Sequence, residues 1–143
     1  MRKFCFAVVL LFALFAAQTD IYSAGELEIR DRFFITQINN IYKNPKSYLG
    51  TVIKYEGIFD SFASYNGKEK IYCVFRYGPG CCGPDAYAGF EIISDKSYPK
   101  PNDWVEVSGI LEEYEIAPEL KNLRIRVRSL KVLEQRGKEV VLR

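Results

Sequence analysis

The residues of this chain that are best suited to chemistry lie in one short stretch, RYGPGCCGPDA, at positions 76 to 86. Cys81 and Cys82 are adjacent, Asp85 follows three residues later, and glycines and prolines surround them. Thiolates are soft donors that suit Zn²⁺ or Cu⁺, and a carboxylate is a further zinc ligand. Glycine permits the backbone conformations that two adjacent ligands need in order to bind one ion. The stretch therefore predicts a loop that binds a soft metal, zinc or copper, or that presents its thiols to a partner.

Cys73 is the third cysteine of the same region and a further candidate ligand. It is in phase with Ile71 and Phe75, an apolar set that we expect to face the core, and this phase favours an inert buried thiol. A disulfide from Cys73 to the cysteine pair, a vicinal disulfide within the pair, and thiol–disulfide exchange assisted by Arg76 stay open as alternatives. A disulfide that pins the loop would make the protein a structural interaction domain.

The chain contains no histidine. This excludes the Ser–His and Cys–His nucleophile systems and every zinc site built on imidazole. The sequence also has no phosphate-binding glycine motif of the Walker or dinucleotide type. We therefore expect a binding protein and not an enzyme.

The first 24 residues have the layout of a secretory signal peptide. A basic start at Met1 to Lys3 precedes a twelve-residue apolar run from Phe6 to Ala17, and small residues follow. Twelve residues rise only about 18 Å as a helix, which is short of the ~30 Å hydrocarbon core. We expect cleavage near residue 24, a single exported domain at residues 25–143, a periplasmic or extracellular location, and no transmembrane segment in the mature chain.

The charge of this mature chain gives no case for a polyanionic partner. Removing Arg2, Lys3 and Asp20 from the 20 basic and 18 acidic residues leaves 18 and 17, a net charge of +1. We therefore predict no nucleic-acid partner.

A stripe of arginines on the last predicted strand could also suggest an oligonucleotide- or oligosaccharide-binding face. We expect instead a solvated outer face that pairs with acidic side chains of the neighbouring strand. The stripe is Arg124, Arg126 and Arg128, and the expected acidic partners are Glu106, Glu112 and Glu113.

The elements that position the cysteine stretch are one amphipathic helix and five strands. The apolar spacing predicts a helix from about Arg30 to Lys43 that closes one end of a barrel, and the period then changes to two. Predicted strands cover residues 51–63, 71–77, 87–94, 103–115 and 122–135. Internal glycines at Gly57 and Gly109 predict bends, and Trp104 reads as a barrel anchor. We predict a mainly β, five-stranded OB-like antiparallel barrel, with a sandwich or SH3-like barrel as the alternative.

The cysteine stretch also resembles a motif of a known family. It is similar to the pattern Arg, aromatic, three residues, Cys-Cys, two residues, Asp-Ala in the extracytoplasmic OB-like domain of bacterial two-component membrane permease proteins, a domain of unknown function. The stretches NPKSYLGTVIKYEGIF (44–59) and DWVEVSGIL (103–111) are similar too. The matching positions are Arg76, Tyr77, Cys81, Cys82, Asp85 and Ala86.

The resemblance implies an accessory role in transport, with a membrane permease or another envelope protein as the partner. Some members of the family are connected with metal supply, zinc in particular, and no catalytic residues are carried over. Arg76 and Tyr77 become candidate binding residues beside the loop. The chain departs from the family in having a predicted signal peptide in place of membrane helices.

Overall fold

A computed structural model describes residues 25–142 of the protein, so the predicted signal peptide lies outside the described residues. The helix and all five predicted strands are present within a few residues of their predicted ends. A three-residue strand before the helix was not predicted. The elements are β1 Glu26–Glu28, α1 Phe34–Lys43, β2 Val52–Ala63, β3 Lys70–Gly78, β4 Ala86–Ile93, β5 Trp104–Ala117 and β6 Leu120–Val132, with 3-10 turns at Asp31–Phe33 and Pro45–Ser47. Between residues 25 and 142, no helix is both long and apolar enough to cross a membrane.

Five strands close into a barrel, which confirms the predicted OB-like architecture. The strand order is β2-β3-β4-β6-β5, and β5 pairs again with β2. The prediction of a wholly antiparallel barrel was wrong in one detail, because β4 and β6 run parallel from the Glu91–Arg124 pair to the Ile93–Arg126 pair. After β4, the loop of residues 94–103 crosses to β2, where β5 pairs antiparallel with β2. Strand β6 then turns back along β5 and lies beside β4, parallel to it.

The barrel interior and one face of α1 form the main core. Alternate residues of β2 such as Ile53 and Tyr55 point inward and are almost fully buried. Three residues of α1 at helical spacing, Phe34, Ile38 and Ile41, pack against them. Full burial of a side chain of this size contributes ~1.5–3 kcal/mol relative to leaving it exposed. The helix therefore closes one end of the barrel, as predicted.

Glycines allow the two long strands to bend. A Cβ atom on Gly57 would lie 2.8 Å from the carbonyl oxygen of Phe75, and one on Gly109 would lie 2.2 Å from that of Arg126. The ladder between β5 and β6 also shifts register at Gly109. Both predicted bends are thus places where another strand approaches too closely for a side chain.

A second, smaller apolar cluster lies outside the barrel wall. It consists of Ile58, Phe75 and Trp104, which is 1% exposed. Residues 133–141, the C-terminal strap, cover it. The strap is held where the amide of Tyr77 donates to the carbonyl of Glu139 at 2.8 Å. Trp104 is therefore an anchor, but of this outer cluster and not of the barrel interior.

Candidate metal centre

The two cysteines and the aspartate lie in a tight loop between β3 and β4. The cysteine loop, residues 79–85, begins and ends where the antiparallel ladder closes with the pair Gly78 and Ala86. Inside the loop, the amide of Gly80 donates to the carbonyl of Gly83 at 2.7 Å. Gly83 has a φ of 141°, a conformation that side chains disfavour. The ladder and these glycines thus explain how the chain reverses within seven residues.

Gly80 also makes room for Asp85. A Cβ atom on Gly80 would lie 1.6 Å from Oδ1 of Asp85. No side chain fits there unless the carboxylate moves away. The glycine therefore allows the carboxylate to fold back over the loop toward the cysteines.

The ligand atoms of Cys81, Cys82 and Asp85 come together at the loop surface. All three lie within 4.8 Å of one another. The two sulfurs are 3.3 Å apart, and Sγ of Cys81 is 3.9 Å from Oδ2 of Asp85. In a tetrahedral site with Zn–S bonds of about 2.3 Å, two sulfur ligands lie about 3.8 Å apart. The two spacings that involve Cys81 are thus within about half an ångström of those around one tetrahedral ion.

The three side chains are solvent exposed. A metal ion bound by them has three protein ligands and an open side toward solvent. Structural zinc sites are closed by four protein ligands, whereas catalytic sites hold the ion with three and keep the fourth position for water or substrate. Three protein ligands alone would thus leave one position open.

Cys73 does not join this group. It lies in the middle of β3, paired across the sheet with Asp60 and Glu91, and it packs against the outer apolar cluster. The expected phase with Ile71 and Phe75 is present, but their face is the outer side of the wall, since the intervening Val74 points into the main core. Phe75 is nevertheless buried, and Cys73 packs against it, so this part of the set lies in the outer apolar cluster and not in the main core.

The environment of Cys73 also keeps its thiol protonated. Burial, followed by the charges of Glu91 and Asp60, raises the pKa of Cys73 to about 12. The thiolate is the form that binds metals and attacks disulfides. Cys73 is therefore poorly suited to either reaction at neutral pH.

Cys73, Cys81 and Cys82 are all free thiols within residues 25–142. The loop-pinning disulfide to Cys73 that the sequence left open is not formed. From Cys73 to the end of β3 at Gly78 the chain extends about 16 Å, at the usual rise of a strand. This separation along a regular strand explains why the thiol of Cys73 is not in the group formed by the loop.

Arg76, a predicted binding residue, is directed into the protein. It is 2% exposed, and its Nε donates to the carbonyl of Glu56 at 2.7 Å. Its guanidinium also pairs with the carboxylate of Asp31. The rings of Phe34 and Trp104 lie 4.7 Å and 5.0 Å from its central carbon. Arg76 thus fastens the segment before α1 to the barrel, through two nitrogens of its guanidinium.

Tyr77, the other predicted binding residue, is part of the outer face beside the cysteine loop. Its backbone amide and carbonyl form hydrogen bonds with the C-terminal strap. The centre of its ring lies 5.6 Å from that of Phe75 and 5.5 Å from that of Tyr87. Tyr87 is 61% exposed. An aromatic surface therefore borders the loop, and a ligand role for Tyr77 itself stays a prediction.

The expected pairing of the arginine stripe is present in part, because Glu112 pairs with two of the arginines whereas Glu106 and Glu113 pair with lysines. Arg124 and Arg126 both bond to Glu112 on the neighbouring strand, at 2.6 Å and 3.0 Å. Burial would raise the pKa of Glu112, but the hydrogen bonds and charges of the two arginines outweigh it and hold the pKa below its usual value. Arg124 and Arg126 thus share one carboxylate, and Arg128 is exposed.

Two residues that shape this region were missed by the sequence reasoning. Asp31 pairs with Arg76 across 45 positions of the chain, and no local pattern indicates such a pairing. Gly80 is visible in the sequence as part of GPG, but its contact with Asp85 depends on the folded loop. Both are consequences of tertiary structure and not of residue type.

The barrel and its exposed loop define a small OB-like domain with a compact cysteine-carboxylate group. The chain belongs to the DUF1980 C-terminal domain family, whose model matches residues 15–141. This is a family of unknown function, in agreement with the resemblance drawn from the cysteine motif. A comparison with curated proteins gives no match.

Proposed function

We propose that this protein is an exported, non-catalytic accessory module of the bacterial envelope whose cysteine loop reversibly binds Zn²⁺. The observation that carries the proposal is the convergence of two sulfurs and a carboxylate oxygen within 4.8 Å at the surface. Neither cysteine is needed for the core, because both are exposed.

Zinc fits the donor set better than the other soft ion that the cysteines would accept. Thiolates bind both Cu⁺ and Zn²⁺, whereas a carboxylate oxygen is a ligand typical of zinc and not of Cu⁺. The loop offers two sulfurs and one oxygen from Asp85. Water or a donor from a partner would occupy the fourth position.

An open fourth position suits a protein that passes the ion on. A donor from a second protein can enter there before the loop releases its own ligands. The resemblance to domains of two-component membrane permease proteins supports a permease, or another envelope protein, as that partner. The predicted signal peptide supports a periplasmic or extracellular location.

A competition titration with a chromophoric zinc chelator tests the metal site. The full chain should bind about one equivalent of zinc, and Cys81→Ser with Cys82→Ser should weaken binding at least about 100-fold. Substitution of residues that only support metal ligands already costs 10–100-fold. Cys73→Ser is the matched control, because it removes a thiol outside the loop, and it should leave the affinity unchanged. Equal zinc affinity in the double variant and the unsubstituted chain would contradict the proposal.

A vicinal thiol pair that oxidises is the second candidate function, and the 3.3 Å separation of the two sulfurs favours it. A disulfide needs an S–S distance of about 2.05 Å, and adjacent residues reach it only with strain because their Cα atoms are about 3.8 Å apart. A small-molecule disulfide would accept the two electrons: two loop thiols become one disulfide, and the reagent leaves as two thiols. Zinc and this disulfide exclude each other, since each uses both sulfurs.

Intact-mass analysis of the protein purified without reductant separates the two functions. A vicinal disulfide lowers the mass by about two units and blocks both loop thiols. Zinc protects the same thiols without lowering the mass of the denatured chain.

A further inference from the structure

A cavity lies at the opposite end of β3 from the cysteine loop. Its volume is about 430 Å³, within the usual range for small-ligand sites. The tip of the β2–β3 hairpin forms one wall and the β5–β6 hairpin the other, with β3 and β4 as the floor. β3 extends about 26 Å between the two sites at the usual rise of a strand. The cavity, called here the hairpin cleft, is therefore separate from the candidate metal centre.

Tyrosines provide the aromatic surfaces of the hairpin cleft. Tyr65, at the hairpin tip, is 77% exposed, although an aromatic ring gains by burial. At the floor, the rings of Tyr72 and Tyr98 stack with their centres 3.9 Å apart. Tyr114 stands on the opposite wall, with the guanidinium of Arg124 4.4 Å from its ring centre. The cleft thus presents a free ring at its mouth and rings held rigidly inside.

Hydrogen-bonding groups lie between these rings. The hydroxyl of Tyr114 donates to the carboxylate of Glu91, and Asn122 lines the same wall. Burial, followed by the hydrogen bond and charge of Glu91, raises the pKa of Tyr114 to about 12, so this hydroxyl keeps its proton. Carboxylates accept hydrogen bonds from hydroxyl groups, and an amide both donates and accepts them. The lining therefore matches a ligand that is rich in hydroxyl groups.

The charge of the lining disfavours a phosphate backbone. Glu69, Glu91 and Glu115 face the cleft against Lys70 and Arg124. Arg124 is already bonded to Glu112 at 2.6 Å. A nucleic acid needs Lys and Arg side chains to neutralise its phosphates, and this cleft has an excess of carboxylates.

We propose that the hairpin cleft binds a neutral oligosaccharide, with Tyr65 as a stacking platform for a sugar ring and Glu91 and Asn122 as partners for its hydroxyl groups. The two flanking hairpins correspond to the loops with which OB barrels hold extended ligands. The proposal does not depend on metal binding at the cysteine loop. An envelope protein with such a cleft would stay bound to the glycan of the envelope.

Isothermal titration of the full chain with three neutral tetrasaccharides, namely cellotetraose, maltotetraose and chitotetraose, tests the proposal. A ten-residue oligothymidylate is the polyanionic comparison. We expect at least one tetrasaccharide to bind and the oligothymidylate not to bind. Tyr65→Ala should weaken tetrasaccharide binding at least about tenfold, because the platform is lost, whereas Tyr65→Phe should retain it.

Tyr87→Ala is the matched control, because Tyr87 is another exposed tyrosine but lies outside the cleft. It should leave binding unchanged. Absence of binding by all three sugars at millimolar concentration would overturn the proposal. Tighter binding of oligothymidylate, or sugar binding that Tyr65→Ala does not weaken, would overturn it as well. Repeating the titration with Cys81→Ser and Cys82→Ser should give the same sugar affinity, so a failure here is distinguishable from a failure of the metal site.

Discussion

Three cysteines of one short region lie in two chemical environments. Cys81 and Cys82 are exposed on a glycine-rich loop, whereas Cys73 is half-buried on β3 with a pKa raised to about 12 by burial and by nearby carboxylates. Residue type alone does not distinguish them. Their difference arises from the position of each on the barrel.

Thiol labelling should separate these environments. In metal-free, reduced protein at pH 8, a maleimide should modify Cys81 and Cys82 rapidly and Cys73 much more slowly, because thiolate and access are both needed. Mass spectrometry over time gives the rates at each site. Equal rates at all three cysteines in native protein would contradict the structure, and equal rates after denaturation provide the control.

A methyl group on Gly80 should disturb the metal centre through Asp85. Gly80→Ala places an atom where Oδ1 of the carboxylate now lies, so the carboxylate must move away from the cysteines. We expect zinc affinity to fall about tenfold, with little change in the unfolding midpoint because the loop is exposed. In an Asp85→Ala background, the same substitution should have little further effect. An equal loss in both backgrounds would show that Asp85 is not the cause.

The sequence revealed the candidate ligands better than it revealed their supports. Two soft donors and an acid in a glycine-rich stretch indicate a metal site from composition and spacing alone. The role of Arg76 could not be predicted, because its guanidinium bonds to Asp31 and Glu56, which are 45 and 20 positions away. Such pairings depend on how the elements pack.

At the scale of elements, the contacts of Arg76 join the segment before α1 to the barrel wall. Arg76→Met removes the guanidinium while keeping much of the apolar volume. The carboxylate of Asp31 and the carbonyl of Glu56 then lose a charged donor. Because water can reach the half-exposed carboxylate, we expect the cost of lost hydrogen bonds to a charged group, about 1.5–3 kcal/mol.

Urea unfolding measures this loss. Arg128→Met is the matched control, because Arg128 is exposed on β6, and it should change the free energy of unfolding by less than about 0.5 kcal/mol. A similarly small change in Arg76→Met would contradict the structural role assigned to the guanidinium.

The ion pairs between β5 and β6 should make the free energy of unfolding depend on pH. The pKa of Glu112 lies below its usual value of 4.5 in the folded state, so the stabilising effect of this carboxylate is complete above that pH and is lost on acidification. Glu112→Gln should therefore cost about 1 kcal/mol at pH 7 and progressively less as the pH falls through 4. Glu134→Gln, at an exposed position, should show no such trend. A cost for Glu112→Gln that is independent of pH would contradict the prediction.

The alternation of apolar and polar residues predicted the positions of the strands, but it predicted the pairing of the strands only in part. The period of two in residues 51–63 and the internal glycines indicated long, bent strands correctly. The parallel pairing of β4 with β6 could not be read from either strand, because direction depends on where the loop of residues 94–103 carries the chain. The short β1 was missed because three residues carry too little periodicity.

At the scale of the molecule, β3 links two surfaces of different chemistry. The cysteine loop follows its last residue, and the hairpin cleft surrounds its first ones. A barrel that holds its ion at one end and a glycan at the other would present the ion at a fixed place in the envelope. The proposed accessory role depends above all on the claim that the cysteine loop binds a metal ion.

Elemental analysis combined with thiol counting tests that claim most directly. The full chain should be expressed in a bacterial host and purified without chelator or reductant. We predict about one equivalent of zinc per chain, two thiols that become reactive only when a chelator is added, and no zinc in the Cys81→Ser, Cys82→Ser variant. Absence of bound metal, with two thiols that appear only after reduction, would contradict the account and identify the loop as a disulfide.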